Sequence, residues 1–136
     1  MRRLPPIDRL STVDERLVAA IEALPDDAAR RARALQIVRS VTARLDLQDE
    51  SAVALALTGD PDQATLGALV ERLDKQAWDR QDAGDEDAYL ELFSRARAAN
   101  AALEYASGAA DGNLPDVAYE AYGATGEVPY VLGLLR

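Results

Sequence analysis

The chain has no cysteine and no histidine. Without cysteine there are no disulfides and no thiolate nucleophile, and the redox compartment is left open. Without histidine the usual general base is missing, and with it the Ser-His-Asp arrangement and nearly every zinc or non-haem iron site. No cofactor is expected. Lysine is nearly absent as well: Lys75 stands alone against fourteen arginines, a bias of GC-rich, bacterial coding and not of chemistry. The longest uninterrupted apolar run, Ala52 to Leu57, is far short of the roughly 20 residues of a membrane span. Met1-Arg-Arg-Leu-Pro-Pro has two arginines but no apolar stretch behind them, so it does not read as a signal peptide. A cytoplasmic location is the expectation.

What is present is apolar but small. Hydrophobic residues make up 49% of 136, enough for the core of one domain. Much of that share is alanine, and Phe, Trp and Tyr together number only seven. The expected core is therefore alanine-lined and close-packed, with little room for a carrier's internal pocket. The formal charge of -9 disfavours nucleic acid, whose binding rests on neutralising phosphates, and equally an anionic membrane surface. It suits a basic protein partner. The charge is also uneven. Residues 1–45 carry nine arginines against six acids, and residues 46–136 six cations against eighteen acids. The two parts attract, within one chain or between two copies, which points toward homo-oligomers.

Helix punctuation recurs, and no strand alternation does. Thr12 with Glu15 spells a capping box for a helix through about Leu24, stopped by Pro25. Residues 1–10 before it read as an extended arm. Asp26 and Asp27 open a second helix to about Leu45. A short apolar helix over 50–58 is capped by Gly59. Asp60-Pro61-Asp62-Gln63 starts a fourth, with cap and first-turn proline, running on Leu66, Leu69, Val70, Leu73 and Ala77 to about Ala83. Gly84 and Asp85 separate it from a fifth, on Tyr89, Leu92, Phe93, Ala96, Asn100 and Leu103, to about Ser107. A sixth runs from about Pro115 to Tyr122 and ends at Gly123. The apolar segment 124–136, with one or two helical turns over Val128–Leu135, closes the core or forms an interface. Six or seven helices with short loops make a single-domain all-α bundle.

The stretch WDRQDAGDEDAY (78–89) packs five carboxylates around Gly84. A calcium loop requires oxygen ligands at its fifth position and a bidentate acid at its twelfth. Starting at Asp79 these fall on Ala83 and Leu90; starting at Asp82 the twelfth is Phe93. Helix punctuation accounts for the stretch better: Gly84 ends one helix, and Asp85, Glu86 and Asp87 enter the first turn of the next, where the macrodipole favours negative charge. Paired acid/base chemistry by Asp79 with Asp82, or Asp85 with Asp87, requires a cleft and separated pKa values.

Asp46-Leu-Gln-Asp49 followed by Glu71-Arg-Leu-Asp74 partly resembles the ExxE and ExxD magnesium motifs of all-α nucleotide pyrophosphohydrolases, with aspartates for the two upstream glutamates. The resemblance implies an acidic quartet, Asp46, Asp49, Glu71 and Asp74, holding magnesium for phosphohydrolase chemistry. On an ideal helix Asp74 and Glu71 lie about 80° and about 140° from the apolar stripe.

Several residues break the pattern. Trp78 sits about 120° from the Leu66–Leu73 stripe. A fourth helix buried on two sides is the expectation; an indole shown to a partner, extended by Leu90, is the alternative. Asn100, Arg31 and Arg80 fall on apolar faces, where each requires a polar partner. Tyr119, Tyr122 and Tyr130 make the C-terminal region the most aromatic part of the chain, closing the core or forming a partner surface. The expectation is a non-enzymatic helical protein that works by protein–protein interaction, in sharper form an acidic immunity- or antitoxin-like binder. Its interface candidates are Trp78, Leu90, Tyr119, Tyr122 and Tyr130; the rival is the magnesium enzyme.

Overall fold

The computed structural model describes residues 6–136, and among them the chain forms eight helices and no strand. They are α1 (Pro6–Val13), α2 (Glu15–Glu22), α3 (Asp27–Arg44), α4 (Ser51–Leu57), α5 (Gln63–Asp82), α6 (Glu86–Tyr105), α7 (Leu114–Thr125) and α8 (Val128–Leu135). The all-α expectation is met. The additional helix comes from the N-terminus, where the expected arm is helical from residue 6 and buries Leu10 completely. Proline at the first turn removes only an N–H that has no helical partner there. Residues 1–5 of that arm lie outside the described residues.

The Thr12 capping box does not form. Thr12 instead donates its hydroxyl to the Arg9 carbonyl one turn back. Asp14 is the cap of α2, with extended backbone and a carboxylate accepting from the Arg16 N–H. The helix expected from Thr12 therefore begins at Glu15, and Thr12 and Val13 belong to α1.

Three helices end in the same six-residue closure. In α4, the Asp60 N–H reaches back to the Leu55 carbonyl and Gly59 to Ala56. In α5, Asp85 reaches Arg80 and Gly84 reaches Gln81. In α3, Leu47 reaches Thr42 and Asp46 reaches Ala43. This is the Schellman pattern, which places one residue in the left-handed region. Gly59 and Gly84 take it at no steric penalty, whereas α3 uses Asp46, at φ 59°. Because Asp60 belongs to the closure of α4, the cap of α5 falls to Asp62, two residues after the expected position. At the other end of the chain, α7 runs through Gly123 to Thr125 and closes at Gly126, φ 67°. Gly123 faces the aliphatic stem of Arg97.

The centre of the bundle is α6, which packs against α3, α4, α5 and α7. Ala96, Ala98, Ala99, Ala101 and Ala102 are each buried to 0% exposure. These positions point all round the helix, so alanine is what lets four neighbours approach it. Around this axis Leu17, Ile37, Val41, Leu66, Val117 and Leu135 fill the interior. α8 packs on α2, α3 and α7 and buries Val131, Leu132 and Leu135. Among the described residues no helix is long and apolar enough to cross a membrane.

α5 is peripheral, packing on α6 and α4. Its stripe from Leu66 to Ala77 is buried as its spacing predicts, but burial stops there. Between Ala77 and Ala96 no residue is buried. The last turn of α5, the three-residue loop and the first ten residues of α6 form a hairpin end with no buried residue. Tyr89 and Phe93, expected in the core stripe of the fifth helix, belong to this end.

Candidate functional site

Chemistry-bearing side chains gather in two places, and Arg97 links them, since its guanidinium also lies over the Phe93 ring at 5.5 Å. The first is a partly buried charge cluster between α1, α5, α6 and α7. Arg97 donates through Nη2 to both oxygens of Asp74, at 3.1 and 3.2 Å, and through Nη1 to Glu120 Oε2 at 3.4 Å. Asn100, one turn further along α6, donates its side-chain amide to the same Glu120 carboxylate. On the α1 side, Arg9 binds Asp116 at 2.6 Å and lies over the Tyr119 ring. Burial pushes the Glu120 carboxyl above its ordinary range. Arg97, Asn100 and Arg9 pull it back without cancelling the shift, and Asp116 adds to it.

A carboxyl held high is the kind of group that transfers protons. Here its polar partners are Arg97 and Asn100, and its side chain is only 11% exposed. That arrangement ties α5, α6 and α7 together; it does not present an acid to a substrate. Asn100 has thus found the partner its apolar setting demands.

The second place is the hairpin end. Trp78 on α5 and Tyr89 on α6 hold their rings 5.9 Å apart, and Tyr89 meets Phe93 at 6.1 Å. Tyr89 and Leu90, with Gln81, Gly84 and Glu86, line a concavity of about 450 Å³. Trp78 is 57% exposed, Leu90 54% and Phe93 37%. The expected burial of Trp78 is therefore overturned: the helix enclosed on several sides is α6, and α5 has a free flank. Around this apolar group the sequence places Asp79, Asp82, Asp85, Glu86, Asp87 and Glu91 against Arg80 and Arg95, while Lys75 pairs with Asp79 and Arg97 lies over the Phe93 ring. Asp85 caps α6 by accepting from the Ala88 N–H, and Glu86 and Asp87 fill its first turn. Local helix physics puts the acids here. It does not require the aromatic side chains.

No family model, curated relative or solved structure matches the chain.

The remaining candidates sort clearly. Arg31 donates to the Ala109 carbonyl at 3.0 Å and stacks over Tyr105, fastening the α6–α7 loop to α3. Arg80 is exposed at the hairpin end, not set on an apolar face as expected. The two arginines and Asn100 serve three separate places and build no common anion site. Tyr119, Tyr122 and Tyr130 are each half-buried against the core. Tyr130 hydrogen-bonds Ser40 and lies under Arg44, which also pairs with Glu127.

The acidic quartet does not assemble. No group of three or more metal-ligating side chains occurs among the described residues. Asp46 takes the left-handed closure of α3, Asp49 and Glu71 are exposed, and Asp74 faces Arg97. The motif spacing is present but the acids lie on elements that point them apart.

Sequence reasoning missed Arg97 and Glu120, although a signal existed. On ideal helices Arg97 lies about 40° from Phe93, and Glu120 about 60° from Val117. Both are charges inside an apolar arc, the pattern that singled out Arg31 and Asn100.

Proposed function

We propose that the protein acts by binding another polypeptide through the α5–α6 hairpin end. One observation carries this reading: Trp78, Leu90 and Phe93 stand exposed together on a hairpin end without a single buried residue. Contiguous exposed apolar side chains rimmed by polar ones mark interaction sites. Tryptophan at the centre of such a patch is the residue type that most often dominates binding energy. The surrounding carboxylates select a partner surface that is apolar at its centre and basic at its edge, and they accelerate its approach. An immunity- or antitoxin-like role is the form this takes where that basic surface belongs to a toxic protein.

The test is site-specific photo-crosslinking. A photoreactive side chain at position 90 is expected to give a discrete adduct with the bound partner. The same group at Gln63, also exposed but at the far end of α5, is expected to give none. Adducts from position 63 and none from position 90 contradict the reading.

A further inference from the structure

We infer that the partner surface lies on a second copy of the chain: the hairpin end of one copy seats in a groove formed by α2, α3 and α8 of the next. The inference rests on the binding reading above and gives the partner an identity.

The groove has a volume of about 420 Å³. Its floor is apolar, formed by Ala20, Ala23, Leu24 and Leu135. Its rim carries Arg16, Arg33 and Arg136, and no carboxylate side chain lines it. Arg16 holds Asp14 yet remains 64% exposed. Arg33 binds only the neutral Gln36, and neither it nor Arg136 forms an ion pair among the described residues. An apolar trough with a cationic edge is the complement of an apolar knob with an anionic edge. Each feature has the charge and the polarity gradient that the other lacks.

The fold prevents one copy from satisfying both. α5 packs on α4 and α6, whereas α2 and α8 pack on each other and on α1, α3 and α7. Both elements are anchored in the same core, so the hairpin cannot fold back onto the groove. Pairing of two hairpin ends across a two-fold axis is opposed by their charge, since each brings six carboxylates against two arginines, Arg80 and Arg95. The remaining arrangement is head to tail. Such a contact uses two different surfaces, leaves one of each free at the ends of any chain, and grows until it closes into a ring.

The experiment uses complementary variants in sedimentation velocity, with circular dichroism melts to show that each is folded. A knob variant carries Trp78→Ser and Leu90→Ser; a groove variant carries Ala23→Glu and Arg33→Glu. All four positions lie at the surface or its edge. If the groove variant does not fold, Arg16→Glu with Arg33→Glu replaces it. Wild type is expected to gain mass with concentration, and less so at about 1 M ionic strength, where charges beyond about 3 Å are screened. Each variant alone is expected to stay monomeric. Mixed at equal concentration they are expected to double in mass and stop there, because one intact knob meets one intact groove. Association of the knob variant by itself, or a mixture that remains monomeric, overturns the inference. A monomeric wild type that still crosslinks a different protein from position 90 also overturns it, but leaves the binding reading in place. Crosslinking and association that both ignore Trp78 and Leu90 defeat the two together.

Discussion

Trp78 and Tyr89 face each other across the α5–α6 turn with ring planes at 52°, and the contact lies outside the core. Aromatic pairs in this tilted geometry usually add to a buried interior. Here the pair leaves the indole 57% exposed. A surface pair of this kind does little for folding, and that separates binding from stability at these positions.

Trp78→Ala is accordingly expected to change unfolding free energy by no more than about 0.5 kcal/mol, the ordinary range for surface substitutions. With a single tryptophan in the chain, fluorescence reports this site alone. At low protein concentration its emission is expected to be red-shifted and freely quenched by iodide. A blue-shifted, protected indole in the dilute monomer contradicts the structure.

Arg97 behaves in the opposite way. It is the cation shared by Asp74 and Glu120, and its own side chain is only 23% exposed. Arg97→Met keeps the stem that packs on Gly123 but removes the larger of the two positive charges acting on Glu120, leaving Arg9, and strips Asp74 of its partner. A loss of about 3 kcal/mol is expected near pH 7, the usual penalty for removing one member of a buried pair. Adding Glu120→Gln to Arg97→Met is expected to recover much of that loss. Equal losses in single and double variants, read from urea melts, show the pair to be uncoupled.

Glu120 also makes a prediction in pH. Its folded pKa lies above the ordinary value of 4.5, chiefly through burial. Between those two values the unfolded chain has released the proton and the folded chain still holds it. Stability from this group is therefore fully present below 4.5 and is lost as pH rises through the folded value. Glu120→Gln mimics the protonated form and removes that dependence. Wild type is expected to fall relative to the variant as pH is raised from about 4 to about 7. Stability profiles that run parallel over this range rule the shift out.

The sequence carried the fold class because its helix signals are local. Gly59, Gly84 and Asp85 sit at helix ends for reasons contained within six residues, and the stripe Leu66–Ala77 is buried as its spacing requires. What failed depended on neighbours. Thr12 and Asp60 are good caps by composition, but the preceding turn engages both, Thr12 through its hydroxyl within α1 and Asp60 through its backbone N–H. The exposure of Trp78 is not legible in the sequence, because nothing local says whether α5 or α6 lies at the centre. The alanines between 96 and 102 hold that information, since only a helix approached from several sides needs small residues all round. The hairpin end was legible as acidic. Tyr89 and Phe93 look like core in the sequence because their helical spacing continues the buried stripe of α6.

Gly112 tests the close approach that Arg31 helps to hold. At φ 67° it lies so near α3 that an added Cβ meets Ala34 Cβ at 2.9 Å and Arg31 Cα at 3.0 Å. Gly84 has a similar φ of 78° with open space around it. Gly84→Ala is expected to lose about 1 kcal/mol, the cost of a left-handed L-residue alone. Gly112→Ala adds a clash with backbone that cannot move aside, and a loss above about 2 kcal/mol is expected. Similar melting temperatures for the two variants exclude the tight packing of this loop.

Asp46 separates a structural reason for an acid from a chemical one. As a magnesium ligand it is expected to lose function when shortened; as the left-handed residue closing α3 it is expected to gain from glycine. L-residues pay about 1–2 kcal/mol in that region, which aspartate relieves in part by local hydrogen bonding. Glycine avoids the steric term but is more flexible when unfolded. The balance favours Asp46→Gly by about 0.5 kcal/mol, while Asp46→Val, β-branched at φ 59°, is expected to lose at least about 1 kcal/mol. Magnesium at millimolar concentration is expected to leave the melting temperature of wild type and both variants unchanged, because Asp49, Glu71 and Asp74 do not converge with Asp46. A magnesium-dependent rise in wild type that Asp46→Gly abolishes restores the acidic quartet and the phosphohydrolase with it.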